Sequence, residues 1–210
     1  MSVWPWETDY RSVQHNAERL RLVWFVRAVV ICLTAASVDV AASPPLHDRP
    51  HDFEYQVKAA FLYNFAKFVE WPGDATEGGG PALIIGVLGD DPFGPALDDT
   101  VSGKSVNGRG LEVKRFSQIG DLEPCQVLFV GTSMMPRLPE ILSRVRGSPV
   151  LTIGEADKFA QDGGIVRLVT ENNKVRFEIN VDAAERAGLR ISSKLLALAR
   201  IVHQGEQTGH

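Results

Sequence analysis

The stretch QVLFVGTSMMPRLPEILSRVRGSPVLTIGE, Gln126–Glu155, decides the fold class. Gln126–Gly131 and Pro149–Glu155 are short, largely apolar runs. Runs of this kind suit strands covered on both faces. Between them, Pro136–Gly147 starts near a proline and stops at a glycine, the punctuation of a helix. Strand, helix and strand in that order make a crossover unit, whose two strands run parallel.

The same alternation continues on both sides. Upstream, Ala82–Gly89 reads as a buried strand. Asp91 then fits an N-cap, with Pro92 at the first helical position, for a helix through Phe93–Val101. Leu111–Ser117 alternates apolar and polar residues, so it reads as a strand with one covered face. Downstream, Asp157–Gly164 reads as a short helix stopped by Gly163 and Gly164. Ile165–Asn180 reads as two strands around Glu171-Asn172-Asn173, a hairpin signal. A helix capped by Asp182 stops at Gly188. Ile191–His203 reads as a closing helix, capped by Ser192 or Ser193, with Ile191, Leu195, Leu198 and Val202 on one face. The expected architecture is an α/β layered fold with a largely parallel central sheet flanked by helices and an antiparallel edge pair near the C-terminus.

Lys58–Pro72, KAAFLYNFAKFVEWP, precedes the first strand. At 100° per residue, Gln56, Tyr63, Lys67 and Glu70 share one narrow polar stripe. Phe61, Leu62, Phe65, Ala66, Phe68 and Val69 cover the rest, so this helix docks on a large apolar surface, its own sheet. Trp71 precedes Pro72, which ends the helix. Tyr63 and Trp71 lie off the centre of the apolar face and are the candidate partner-binding side chains, since aromatic residues are enriched at hot spots. Gly73–Gly80 reads as a flexible connection.

Residues 1–42 read as a cleaved secretory signal. Arg11, Arg19, Arg21 and Arg27 precede the apolar run Ala28–Ala36, and VDVAAS offers a cleavage site after Ala42. The apolar run is shorter than the about 20 residues a spanning helix needs. The alternative is an uncleaved N-terminal anchor. The leader is long, and Leu20 or Val23 reads as an alternative initiator. Residues 43–52 then form a flexible lead-in, residues 53–204 a single domain, and residues 205–210 a disordered tail. The expected location is the periplasm.

Apolar residues make up 44% of the 210 residues and charged ones 23%, enough for a real core. The net charge of −4 and the lack of a basic run exclude a general nucleic-acid binder. Loss of the signal removes Cys32 and leaves Cys125 alone, so no internal disulfide is expected. Asp90 and Asp91 follow a strand, where α/β sheets place ligands, but their simpler roles are a turn and a cap. His47 and His51 make a weak metal pair in the lead-in. The glycines match no nucleotide-binding pattern; after His51 the only histidines are His203, near the domain's C-terminal end, and His210 in the tail, so the domain interior has none to serve as a base. No enzyme activity, metal or cofactor is expected.

Five segments carry a resemblance: KAAFLYNFAKFVEWP (Lys58–Pro72), GVLGDDPFG (Gly86–Gly94), GKSVNGRGLEV (Gly103–Val113), VLTIGEADKFAQDGG (Val150–Gly164) and KVRFEINVDAAERAGLRISSKLLALARIV (Lys174–Val202). In this order and spacing the chain resembles the YfiR family of exported bacterial regulators, the DUF4154 domain, from about Glu54 to His203. The resemblance implies a non-catalytic α/β protein that binds the periplasmic domain of an inner-membrane diguanylate cyclase and represses cyclic di-GMP synthesis. It also implies relief by an outer-membrane, peptidoglycan-associated lipoprotein. The apolar helix makes a homodimer a further expectation. Family members commonly pair a first-strand cysteine with one at the position of Cys125, and here the first strand has none. A periplasmic small-ligand receptor, with its site near Asp90–Phe93, is the competing expectation.

Overall fold

A computed structural model describes residues 50–72 and 81–203, with side chains from residue 53 onward. The signal segment, most of the lead-in, the glycine-rich connection and the tail lie outside the described residues.

The polypeptide enters through α1 (Pro50–Phe68), so the helix starts inside the segment read as a lead-in. Its predicted stripe is visible in the packing: Gln56, Lys67 and Glu70 are exposed, whereas Leu62, Phe65 and Ala66 are fully buried. Phe61 and Phe68 are half-buried against the same core. Instead of running to Trp71, the helix gives way to a short strand, β1 (Val69–Glu70).

Next come β2 (Leu83–Leu88), α2 (Pro95–Val101), β3 (Ser105–Val106), β4 (Arg109–Phe116) and β5 (Val127–Val130). A 3-10 turn, Thr132–Arg137, leads into α3 (Leu138–Arg144), which returns the chain to β6 (Leu151–Gly154). Then follow β7 (Val166–Glu171), β8 (Lys174–Asn180), α4 (Val181–Arg186), β9 (Arg190–Ile191), α5 (Ser193–Leu196) and β10 (Arg200–Val202).

Eight strands form one sheet in the order β10-β8-β7-β6-β5-β2-β4-β3, and β1 pairs with β9 in a small antiparallel ribbon. From β4 across β2, β5 and β6 to β7 every neighbour is parallel, as the crossover reading of Gln126–Glu155 requires. The antiparallel pair near the C-terminus is β7 with β8. Its turn uses Asn172 and Asn173 at φ 51° and 59°, the left-handed pair that a tight two-residue hairpin demands. β10 adds to the outer side of β8 in parallel.

Alternate residues of the parallel strands face opposite sides, so the sheet carries two cores. Leu83, Ile85, Val127, Phe129, Leu151 and Ile153 point to the side covered by α1 and α2. Leu88, Leu128 and Val130 join Leu138 and Ile141 of α3 on the other side.

Four local expectations are corrected. The N-cap of α4 is Asn180, whose side-chain oxygen accepts from the Ala183 N–H, and Asp182 lies inside the first turn. Asp157–Gly164 is a series of turns, not a helix; Lys158 has φ 62°, which breaks a helix there. The Phe159 ring is fully buried and packs closely against both Gly154 and Gly164, where a side chain would collide with it. The closing helix is only Ser193–Leu196, with Ser192 as its N-cap. Leu198 is 76% exposed and Val202 sits in β10, because the open edge of β8 recruits the last residues as a strand. Asp91 does not cap α2, whose N-cap is Gly94; its Oδ1 accepts from the N–H groups of Phe93 and Gly94 and closes the turn before the helix.

Candidate functional site

In the strand order β4-β2-β5-β6, the chain leaves β2 toward one side and later resumes on the other. The point of reversal lies between the carboxyl ends of β2 and β5, where open α/β sheets bind ligands. Here the chain's own side chains occupy it. Asp90 Oδ1 accepts from the Ser133 backbone N–H at 2.9 Å and from the Ser133 hydroxyl. Gly131 lies against Asp90 so closely that a side chain would collide with it.

Asp91 is equally committed. Its Oδ2 accepts from Arg115 Nε at 2.7 Å, and the same guanidinium reaches Asp98 and the Gly94 carbonyl. These bonds, the Asp98 one foremost, raise the Arg115 pKa and keep the cation in place. Both aspartates thus lock the loop after β2.

Burial pushes the Asp90 pKa upward, but the hydrogen bonds from Ser133 outweigh it, and the net shift is downward. An acid with a lowered folded pKa stabilises above its unfolded value of about 3.9, and that stability is lost as pH falls through the folded pKa. Asp90→Asn should therefore flatten the loss of stability below about pH 4 while leaving neutral-pH activity intact. Thermal melts between pH 2.5 and 7 check this; an unchanged acid limb would contradict it.

Beside this loop a polar cluster fastens α1 to the end of β6. Lys58, 4% exposed, lies 2.5 Å from Glu54 and 3.2 Å from Glu155. Its ammonium stands 4.5 Å from the centre of the Tyr55 ring. The Tyr55 hydroxyl donates to Glu155 at 3.0 Å, and Thr170 donates to Glu54 at 2.7 Å. Burial first, and the Glu155 charge second, push the Tyr55 pKa upward, so its proton stays on as a donor. Two carboxylates compensate the buried cation, and the cluster ties α1 to the residue after β6. The sequence reading missed it because Lys58 and Glu155 lie far apart in the chain; the i,i+4 pair Glu54–Lys58 was the available signal.

The two candidate contact residues separate. Tyr63 is half-buried and packs against the core cluster, with Lys104 Nζ 4.7 Å from its ring centre. Trp71 is 6% exposed within the core cluster, and its Nε1 has no hydrogen-bond partner among the described residues. The structure does not bring them into one surface patch.

Cys125 is a free, buried thiol just before β5, and burial pushes its pKa up to about 11. It stays protonated at neutral pH and is a poor nucleophile. Melts with and without reductant should coincide for the monomer; a reductant-dependent shift would contradict the single-thiol reading.

A family model described as YfiR/HmsC-like matches residues 55–200, and that span takes in most of α1 and nearly all of the eight-stranded sheet. The chain belongs to the YfiR/HmsC-like family. This family is periplasmic and regulatory rather than catalytic, which supports a role in cyclic di-GMP signalling. No helix among the described residues is long and apolar enough to cross a membrane.

Two solved structures resemble this YfiR/HmsC-like chain. One is an ABC domain in complex with L-Trp from Streptococcus pneumonia: 12% identity, TM-score 0.50, covering 69% of this chain and 60% of that one. The other is a conserved domain protein from Vibrio cholerae O1 biovar eltor, at 14% identity and TM-score 0.45, covering 72% and 60%. The chain thus spans about three-fifths of each, and the first likeness speaks to the fold alone.

Proposed function

We propose that this chain is a periplasmic negative regulator that binds the periplasmic part of an inner-membrane diguanylate cyclase and represses cyclic di-GMP synthesis. The match to the YfiR/HmsC-like family across residues 55–200 carries this reading. The engaged side chains after β2 agree with it, since a protein acting through its surface needs no open reaction cleft. An outer-membrane, peptidoglycan-associated lipoprotein would relieve the repression by capturing the chain, and a homodimer is compatible with the same scheme. Export depends on the signal read in residues 1–42.

Deleting the gene should raise cyclic di-GMP and biofilm matrix, and a leaderless copy confined to the cytoplasm should fail to restore the low level. Unchanged cyclic di-GMP in a strain with an intact cyclase would contradict the proposal.

Tyr63 and Trp71 serve this function in different ways. Tyr63 is the aromatic contact offered to the partner, whereas the buried Trp71 packs into the core just after α1 and β1. Tyr63→Ala should leave the melt within about 1 kcal/mol of the parent and relieve repression, as loss of an anchor worth about 2 kcal/mol would. Trp71→Ala should instead lower stability by about 3 kcal/mol or more. A folded, exported and fully repressing Tyr63→Ala protein would move the interface elsewhere.

A second reading is a receptor for a small amino-acid-like ligand near Asp90–Phe93. The L-Trp complex of the structural neighbour favours it. Calorimetric titration with L-tryptophan separates the two: saturable binding lost on Asp90→Ala supports a receptor, and no heat excludes that ligand.

A further inference from the structure

Across the amino ends of β5, β6 and β7, opposite the edge described above, two cavities of about 480 and 280 Å³ lie side by side. They share Val145, Ser148 and Val150, so together they form one trough. Leu142 and Ile165 extend the apolar lining in the larger lobe.

Each lobe also has its own cation. Arg144 lines the smaller lobe and Arg146 the larger, and Arg186 of α4 stands on the far wall. Elsewhere the chain pairs its arginines: Arg115, Arg137, Arg167, Arg176, Arg190 and Arg200 all lie within ion-pair distance of a carboxylate. Arg144 and Arg146 make no such pair among the described residues. The one acid on the rim, Glu123, is 2.5 Å from Lys114 and so already neutralised. Position near the end of α3 suits a cation, yet it leaves the forked donors of both guanidiniums unused.

We infer that this trough binds an acidic, extended peptide segment of a partner protein, with an apolar side chain in each lobe and a carboxylate against each arginine. The repetition argues for a peptide. Two adjacent compartments that both offer apolar surface and an unpaired guanidinium match a polymer that repeats acid and apolar side chains, not one compact ligand. Arginine recognises carboxylates through two parallel hydrogen bonds, which fixes the register of such a segment. On a chain of net charge −4, this local basic rim also selects where an acidic partner docks. The inference stands independently of the cyclase reading.

The test pans a phage-displayed library of random linear peptides on the exported, folded chain. Enriched peptides should be rich in Asp and Glu interspersed with apolar residues. Ser148→Trp, which plugs the ridge shared by both lobes, should weaken them by roughly tenfold or more. So should the exposed pair Arg144→Glu and Arg146→Glu, with melts unchanged; that pair alone decides the matter if Ser148→Trp fails to fold. Enrichment of basic or uncharged peptides, or binding that survives these changes, would overturn the inference. Saturation by octanoate without any peptide binding would also overturn it, in favour of a small organic acid. Arginine-dependent retention on phosphatidylglycerol vesicles without peptide binding would do so in favour of a membrane surface.

Discussion

Phe65→Ala should lower the stability of the domain by about 3–5 kcal/mol, the usual loss for truncating a fully buried phenylalanine. The ring is completely shielded and sits 5.9 Å from Phe61 and 5.2 Å from Phe177, centre to centre. Phe177 belongs to β8, so this one side chain joins α1 to the antiparallel half of the sheet. Its removal leaves a cavity that neighbouring rings close only in part. A domain of this size holds about 5–15 kcal/mol in total, so the midpoint should fall by roughly 10 °C or more. Phe53, on the same helix but 69% exposed, is the control; Phe53→Ala should stay within about 0.5 kcal/mol of the parent. Urea unfolding followed by circular dichroism reads both. A loss below about 1.5 kcal/mol at Phe65 would mean that α1 is not docked as described.

Features set by local pattern were legible in the sequence. The runs at Gln126–Gly131 and Pro149–Glu155 are buried strands because they lack polar alternation. Phe65 and Leu62 were readable as core from helical spacing, and Asn172-Asn173 as a turn from backbone preference. Features set by distant partners were not legible. Ile191, Leu195, Leu198 and Val202 keep a helical spacing, yet β8 draws Arg200–Val202 into the sheet, where backbone pairing outweighs local propensity. The pairing of Val69 with Ile191 pulls the chain out of α1 before Trp71, which is why that indole turns inward. The same limit hid the candidate site. Asp90 meets Ser133 and Lys58 meets Glu155 only after the strand order is known.

The largest functional effect is expected on the cyclase itself. Moving a two-state enzyme from 1:99 to 99:1 in favour of its inactive form takes roughly 5.5 kcal/mol of preferential binding to that form. Tight binding alone does nothing unless the two states bind differently. Three buried anchors at about 2 kcal/mol each, made only with the inactive form, reach that preference, so under the proposed function Tyr63 with two comparable contacts is sufficient. The direct measurement uses purified, full-length inner-membrane diguanylate cyclase from the same cell and the mature exported chain. Cyclic di-GMP formation from GTP is followed as the chain is added. The rate should fall saturably, by roughly a hundredfold at full occupancy, and Tyr63→Ala should shift the curve to higher concentration. A cyclase rate that stays constant while the folded chain is titrated to saturation, or while it binds, would contradict repression as the function of this protein.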